Sequence, residues 1–415
     1  MRSYYTEAGK AALWNWLWLA VYTVLTQGCY LAVLILLTSA LEPGAFAAFS
    51  AAITLFNYLI ITGSAGTGGV VLREVAFRPH DRTVIETSFF VVTAGSSIAV
   101  AAAAIVGALS FSFADDERAL LILTALGVIP YSMSLAPLYT AVHRQALCAA
   151  IVFATELGGL MAIAALASSA RLSLAAVGVV LLLKWLLATI AQAVIYHFWL
   201  RRLGWAFSGS DVKQLLRTCW PMLLATFAYA LPLSAGIFFV RTLSSENDSA
   251  AFGLAVQCAL AYQLLMALGL RIVQPHINGM FGLHRQFVKK LLVFVVASGI
   301  LLSLVAFAGG AIVVYFLDDP AYQAAIGPMA ILLLTAFLMS LASVANVYLL
   351  RFSDLGFIVL IHLAVVVAYL TAMVLLAATM TITVAAVVAL IAQFIAAALL
   401  CGRAAMWIAE CASSP

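Results

Sequence analysis

The chain alternates long apolar runs with short polar breaks from one end to the other. The runs reach about twenty residues or more, the length a helix needs to cross a hydrocarbon layer of roughly 30 Å. Their residues do not alternate in the two-residue rhythm of outer-membrane barrel strands. The pattern predicts an all-α polytopic membrane protein with twelve transmembrane helices. These fall at about 14–39, 45–72, 84–111, 118–141, 146–168, 172–199, 217–240, 250–273, 288–317, 321–350, 355–378 and 381–405. Turn chemistry marks the breaks at Glu42-Pro43-Gly44, Asp115-Asp116-Glu117 and Asp318-Asp319-Pro320. In the last of these the proline is placed to open a helix.

Composition agrees with this reading. Hydrophobic residues make up 66% of the chain and charged residues 9%, against roughly half and a quarter in a soluble domain. The net charge of +4 sits mainly in short loops, where it sets topology rather than attracting nucleic acid. The N-terminus, the even-numbered loops and the C-terminal tail carry sixteen Lys and Arg residues, and the odd loops only Arg118, Arg171 and Arg241. Lys184 falls inside a span. The bias puts both termini on the cytoplasmic side of a membrane of the inner-membrane type. None of the six cysteines has the spacing of a zinc site or redox pair. The first apolar run is too long for a cleavable signal peptide.

The longest cytoplasmic connection lies halfway along and divides the chain into a lobe at 1–200, a linker at 201–216 and a lobe at 217–415. Ala47-Ala48-Phe49-Ser50 near the start of span two is echoed by Ala250-Ala251-Phe252-Gly253 near the start of span eight, 203 residues later. Halves with an even number of spans share one orientation. The arrangement expected is therefore two six-helix lobes related by a parallel pseudo-two-fold repeat.

Polar residues inside the spans are the candidates for function. Glu156 and Lys184 stand near the middles of spans five and six, where a lone charge is expensive. They form either a bundle-holding ion pair or a site for cation coupling, with Lys184 also a contact for an anionic substrate. Gln27 and Tyr30 share one face of span one and suit sugar hydroxyls or an interhelical hydrogen bond. Asn57 and Tyr58 in span two precede a run containing Gly63, Gly66, Gly68 and Gly69, which permits a bend or close packing. Arg73 at the end of that span is placed for a phosphate or as an interfacial anchor. In the second half the candidates are Tyr229, Gln257, Gln263, Arg271, Asn346 and Arg351. Pro221 and Pro232 are expected to kink span seven. Ser340, Ser343 and Asn346 make a polar stripe along span ten. His362 could titrate near neutral pH and joins Glu156 and Lys184 as a coupling candidate.

No phosphate-binding glycine loop, His-Glu-x-x-His or Gly-x-Ser-x-Gly motif is present. The reading is therefore of a non-enzyme without catalytic residues, metal or bound cofactor. The stretch Thr38-Ser39-Ala40-Leu41-Glu42-Pro43-Gly44-Ala45-Phe46-Ala47-Ala48-Phe49, followed by Gly63-Ser64-Ala65-Gly66 and Leu72-Arg73-Glu74-Val75-Ala76, resembles the polysaccharide-biosynthesis flippases. These are the O-antigen and exopolysaccharide translocases of the multidrug/oligosaccharidyl-lipid/polysaccharide exporter superfamily. The resemblance implies transfer of an undecaprenyl-pyrophosphate-linked oligosaccharide from the cytoplasmic to the outer leaflet by alternating access. It also implies cationic cavity residues, for which Arg73, Lys184, Arg271 and Arg351 are the candidates. Expected partners are the polyprenyl-pyrophosphate-linked glycan, membrane lipids and a polysaccharide polymerase or export machinery. Coupling to H+ or Na+ fits such a transporter. The alternatives are a cation-coupled drug or metabolite antiporter, a transporter of the major facilitator type, and a membrane-embedded glycan polymerase, ligase or acyltransferase. Residues 73–82 read REVAFRPHDR, without the usual glycine-rich basic motif of the major facilitator type.

Overall fold

A computed structural model describes residues 2–279, 285–351 and 354–413, with side chains described except at 2–13, 16, 73, 76–77, 79, 267–279, 285–292, 350–351 and 408–413. The described chain is helical almost throughout. Its helices are α1 (Arg2–Ala40), α2 (Pro43–Gly63), α3 (Thr67–Phe77), α4 (Arg82–Ser110), α5 (Asp115–Ser132), α6 (Ala136–Ala141), α7 (Gln145–Ser168) and α8 (Leu174–Ile195). They continue as α9 (Gly209–Ser234), α10 (Gly236–Leu243), α11 (Glu246–Gly279), α12 (Arg285–Leu317), α13 (Pro320–Gln323), α14 (Ile326–Arg351), α15 (Leu355–Leu375) and α16 (Ile382–Ser413). Among the described residues eleven segments are long and apolar enough to span a membrane, and twelve if the bent pair α9–α10 counts as one. The protein is thus an all-α polytopic membrane protein.

Local chemistry starts and stops these helices. Ser173 caps α8 by accepting from the Ala176 N–H at 3.2 Å, and Asp319 caps α13 by accepting from Ala321 at 2.8 Å. Asp115, Asp116 and Glu117 occupy the first turn of α5, where the helix dipole favours anions. The expected kink in span seven is a 40° bend between α9 and α10, three residues beyond Pro232. Pro221 lies inside α9. That helix begins at Gly209, earlier than the apolar pattern indicates. Ser208 accepts from the Asp211 N–H at 3.3 Å and so caps its first turn.

Internal contacts divide the chain into two compact units, 1–41 with 52–223 and 42–51 with 224–415. In the first unit α1 packs on α7, α5 on α4 and α8, and α3 on α6. Trp185 of α8 stacks on Phe56 of α2, with ring centroids 3.8 Å apart. Gly127 of α5 lies under the same indole, where a Cβ would collide with it. In the second unit α14 packs against α11, α12 and α16, and α15 against α16. The start of α2 belongs to this unit. Gln257 of α11 donates to the Ser50 carbonyl at 3.2 Å, and a Cβ on Gly253 would stand 2.8 Å from that of Ser50.

Two spans of the first unit are interrupted. Span two is broken between α2 and α3, where Gly66 adopts φ +69°. A Cβ there would approach the Cys219 carbonyl and the Leu223 nitrogen, each at 2.9 Å. Span four is broken between α5 and α6. There Gln192 of α8 accepts from Ser134 Oγ and the Leu135 N–H, both at 2.9 Å. Its carbonyl accepts from Tyr139 Oη at 2.9 Å.

The glycine run of span two therefore has unequal members. Gly66→Ala meets both a left-handed backbone and a neighbouring main chain, and is expected to lower stability by about 1–3 kcal/mol. Gly69 faces open space, so Gly69→Ala is expected to be neutral or mildly stabilising. Thermal unfolding of the two variants in detergent micelles checks the contrast. Equal melting temperatures would refute it.

Candidate functional site

The second unit contains a polar cluster built from five helices. Tyr229 of α9 is its centre. Its hydroxyl donates to the Met339 carbonyl of α14 at 2.9 Å. It lies 2.6 Å from Ser343 Oγ. A phenol has one proton to give, so Ser343 is the donor in that second bond. Gln263 of α11 also hydrogen-bonds Tyr229. The ring of His362, on α15, meets the Tyr229 ring edge-on at 5.4 Å. Asn346 Nδ2 lies 3.2 Å from His362 Nε2. Gln393 of α16 donates to the Tyr229 carbonyl at 3.2 Å.

The acceptors in this cluster are incompletely used. Asn346 Oδ1 and Gln393 Oε1 are buried without a hydrogen-bond partner among the described residues. With the Asn346 amide donating, His362 Nε2 must be the acceptor, and the imidazole is neutral with its proton on Nδ1. A half-turn of the Asn346 amide would present Oδ1 to a protonated Nε2–H.

The first unit holds a different site. Lys184 Nζ of α8 lies 2.8 Å from both carboxylate oxygens of Glu156 of α7. The two side chains are 11% and 16% exposed. Lys184 also lies over the Trp185 ring, 5.6 Å from its centroid, and its stem covers Gly159. Each charge is matched within the pair, so the spans carry no isolated ion there.

The remaining candidates are dispersed. Gln27 is buried on α1, with Oε1 lacking a hydrogen-bond partner among the described residues, and Tyr30 is half-buried one turn along. Asn57 is half-buried and Tyr58 buried on α2. Gln257 is taken up by the Ser50 carbonyl and serves helix packing. Arg73, Arg271 and Arg351 lie in helices, but their side chains fall outside the described residues. The structure thus brings together Tyr229, Gln263, Asn346 and His362, and separately Glu156 and Lys184. Sequence reading missed Gln393 and Gln192. A single Gln in an apolar span was the available signal for both.

Beside the membrane, Arg78 bridges Glu74 at 3.2 Å and Asp211 at 3.1 Å. The Asp211 hydrogen bond is the main cause that holds its guanidinium pKa above the ordinary value. This ties the end of α3 to the first turn of α9. Among the described residues no group of three or more His, Cys, Asp or Glu side chains is placed to hold a metal ion.

Comparison with known structures defines the class. A MOP superfamily transporter from Pyrococcus furiosus, described as having a binding pocket of reversed polarity that suggests a different function, is similar at 12% identity. The match covers 98% of this chain and 97% of that one, with a TM-score of 0.68. A multidrug resistance MATE family transporter of the same superfamily is similar in its inward-facing form at 13% identity, covering 95% and 99% of the two chains with a TM-score of 0.70. An outward-facing multidrug resistance MATE family transporter is similar at 13% identity, covering 98% and 97% of the two chains with a TM-score of 0.68. The chain shares its fold with these transporters. Residues 12–276 match the family model described as polysaccharide biosynthesis protein, and the chain belongs to that family. No curated protein matches the sequence.

The geometry of the Glu156–Lys184 pair yields a stability test. Glu156→Gln or Lys184→Met leaves one charge without its partner and is expected to cost about 3 kcal/mol. The double substitution Glu156→Leu with Lys184→Leu is expected to melt close to the wild type. A double variant as unstable as either single variant would show that the pair does not act as a self-neutralising unit.

Proposed function

We propose that this protein moves a polyprenyl-pyrophosphate-linked oligosaccharide from the cytoplasmic to the outer leaflet of a bacterial inner membrane. The observation that carries this reading is family membership over residues 12–276. The solved structures favour a second reading more directly. Several of those similar in fold are multidrug resistance or MATE transporters, which points to cation-coupled export of a small molecule. Physical chemistry makes the same demand in both cases. A charged or sugar-rich cargo needs a polar passage, because hydrocarbon cannot solvate it. A polyprenyl tail can remain in lipid while the headgroup crosses.

Two six-helix lobes, 1–200 and 217–415, joined by 201–216 and related by a parallel two-fold repeat, suit alternating access. The echo of Ala47-Ala48-Phe49 in Ala250-Ala251-Phe252 supports the repeat. The basic bias of the even loops supports cytoplasmic termini.

We assign coupling to a proton at His362, supported by its contact with Asn346, whose buried Oδ1 has no hydrogen-bond partner among the described residues. Glu156 and Lys184 then hold the bundle, supported by their mutual neutralisation. Gln27, Tyr30, Asn57 and the bases Arg73, Arg271 and Arg351 are proposed as cargo contacts, and a polymerase or export machinery as the downstream partner.

Leaflet-resolved labelling of the lipid-linked glycan on depletion of the protein distinguishes the two cargoes. Build-up on the inner leaflet is expected. Normal externalisation together with sensitivity to small cationic compounds would favour the second reading. In reconstituted vesicles with an imposed proton gradient, His362→Asn is expected to lose the gradient response by at least about tenfold. Glu156→Gln with Lys184→Met should retain it. Loss of the response in the pair variant alone would move the coupling site to the first unit.

A further inference from the structure

The connection between α8 and α9 mixes polar residues with large exposed rings. Phe198 and Trp199, in the wide last turn after α8, are 74% and 81% exposed. Trp205 and Phe207, in the extended stretch that follows, are 78% and 71% exposed. A water-facing loop has no reason to display four large aromatic rings in ten residues. Scattered single apolar residues are ordinary on a surface, but a contiguous group marks a contact.

The first turns of α9 continue the surface. Lys213, Leu216, Arg217 and Trp220 are all exposed, and their spacing puts them on one stripe of the helix. Leu215 and Cys219, on the opposite face, are buried in the first unit. Arg202 is exposed between the two aromatic pairs. Three bases are thus interleaved with aromatic rings along one continuous face, the composition of a segment that lies in a membrane interface.

This face is held in place from beneath. Glu86 of α4, 1% exposed, accepts from Arg82 Nε at 2.9 Å and from Tyr196 Oη at 3.0 Å. Arg82 also donates to Tyr196 Oη at 2.8 Å. Arg201 Nε stands 3.9 Å from the same carboxylate. The Ala206 N–H donates to Thr87 Oγ1 at 3.1 Å, and the Leu203 N–H to His197 Nδ1 at 3.2 Å. Asp211 is fastened to Arg78. The rings therefore point outward because the main chain behind them is fixed to α4, not because the loop is loose.

We propose that the face formed by residues 198–220 binds anionic phospholipid of the adjoining leaflet, with the aromatic rings at headgroup depth and Arg202, Lys213 and Arg217 on lipid phosphates. The occupant follows from charge complementarity. Aromatic rings alone would accept a zwitterionic lipid equally well, whereas each base near an anionic surface adds attraction that salt screens. This holds whichever cargo crosses. Under the topology proposed above the leaflet is the cytoplasmic one.

The test uses the full chain in nanodiscs of mixed phosphatidylcholine and phosphatidylglycerol, with bromine on the acyl chains of one lipid or the other. Quenching at the linker is read as the difference between the wild type and Trp199→Phe with Trp205→Phe. Brominated phosphatidylglycerol is expected to quench more strongly than brominated phosphatidylcholine at equal mole fraction. The excess should fall by up to about fivefold for each base neutralised in Arg202→Gln, Lys213→Gln and Arg217→Gln. It should also shrink as salt rises in the unaltered protein, which keeps the test independent of how those variants fold. Equal quenching by the two lipids, or an excess indifferent to salt, would overturn the proposal. Removal of the excess by a short-chain prenyl pyrophosphate would overturn it too, because the face would then belong to the cargo headgroup.

Discussion

Hydrocarbon offers no hydrogen bonds, so a chain that lies in it must satisfy its own backbone. That constraint determines nearly everything about this protein. It makes every long segment a helix and restricts interruptions to places where a neighbour can supply the missing partner. The break between α5 and α6 exists because Gln192 reaches the freed Leu135 N–H and Ser134 hydroxyl. The break at Gly66 sits where the α9 main chain packs close enough to exclude any side chain. A polar side chain in an apolar span has the same problem in smaller form, and Tyr229 answers it with bonds to Met339, Ser343 and Gln393.

The same constraint explains what could be read in the sequence. Span number and type were legible because twenty apolar residues in a row have one stable conformation in lipid. The proline-driven bend of span seven was legible because Pro232 removes a bond wherever it sits. The start of α9 was not, because Ser208 and Asp211 look like ordinary loop residues until Arg78 is seen beside them. The glycine run suggested bending or packing, and only the neighbours of each position separate Gly66 from Gly69.

The candidate site was legible residue by residue but not as a constellation. Tyr229, Gln263, Asn346 and His362 come from four helices separated by many turns of chain, and nothing in a single sequence says that they meet. Glu156 and Lys184 were easier. They sit at matching depths of two successive spans, so a short connection brings them to one level. Gln393 stood alone in an apolar run, without a second polar residue at helical spacing to draw notice, and Gln192 had only Thr189 and Tyr196 beside it.

The Glu156–Lys184 pair has a consequence for how the chain reaches the bilayer during synthesis. Either helix entering alone would carry a bare charge to the membrane centre, at a cost of about 3 kcal/mol by insertion measurements. The turn between α7 and α8 is only residues 169–173. The translocation machinery is therefore better served by releasing spans five and six together as a hairpin, with the acid and the amine already joined when they first meet lipid.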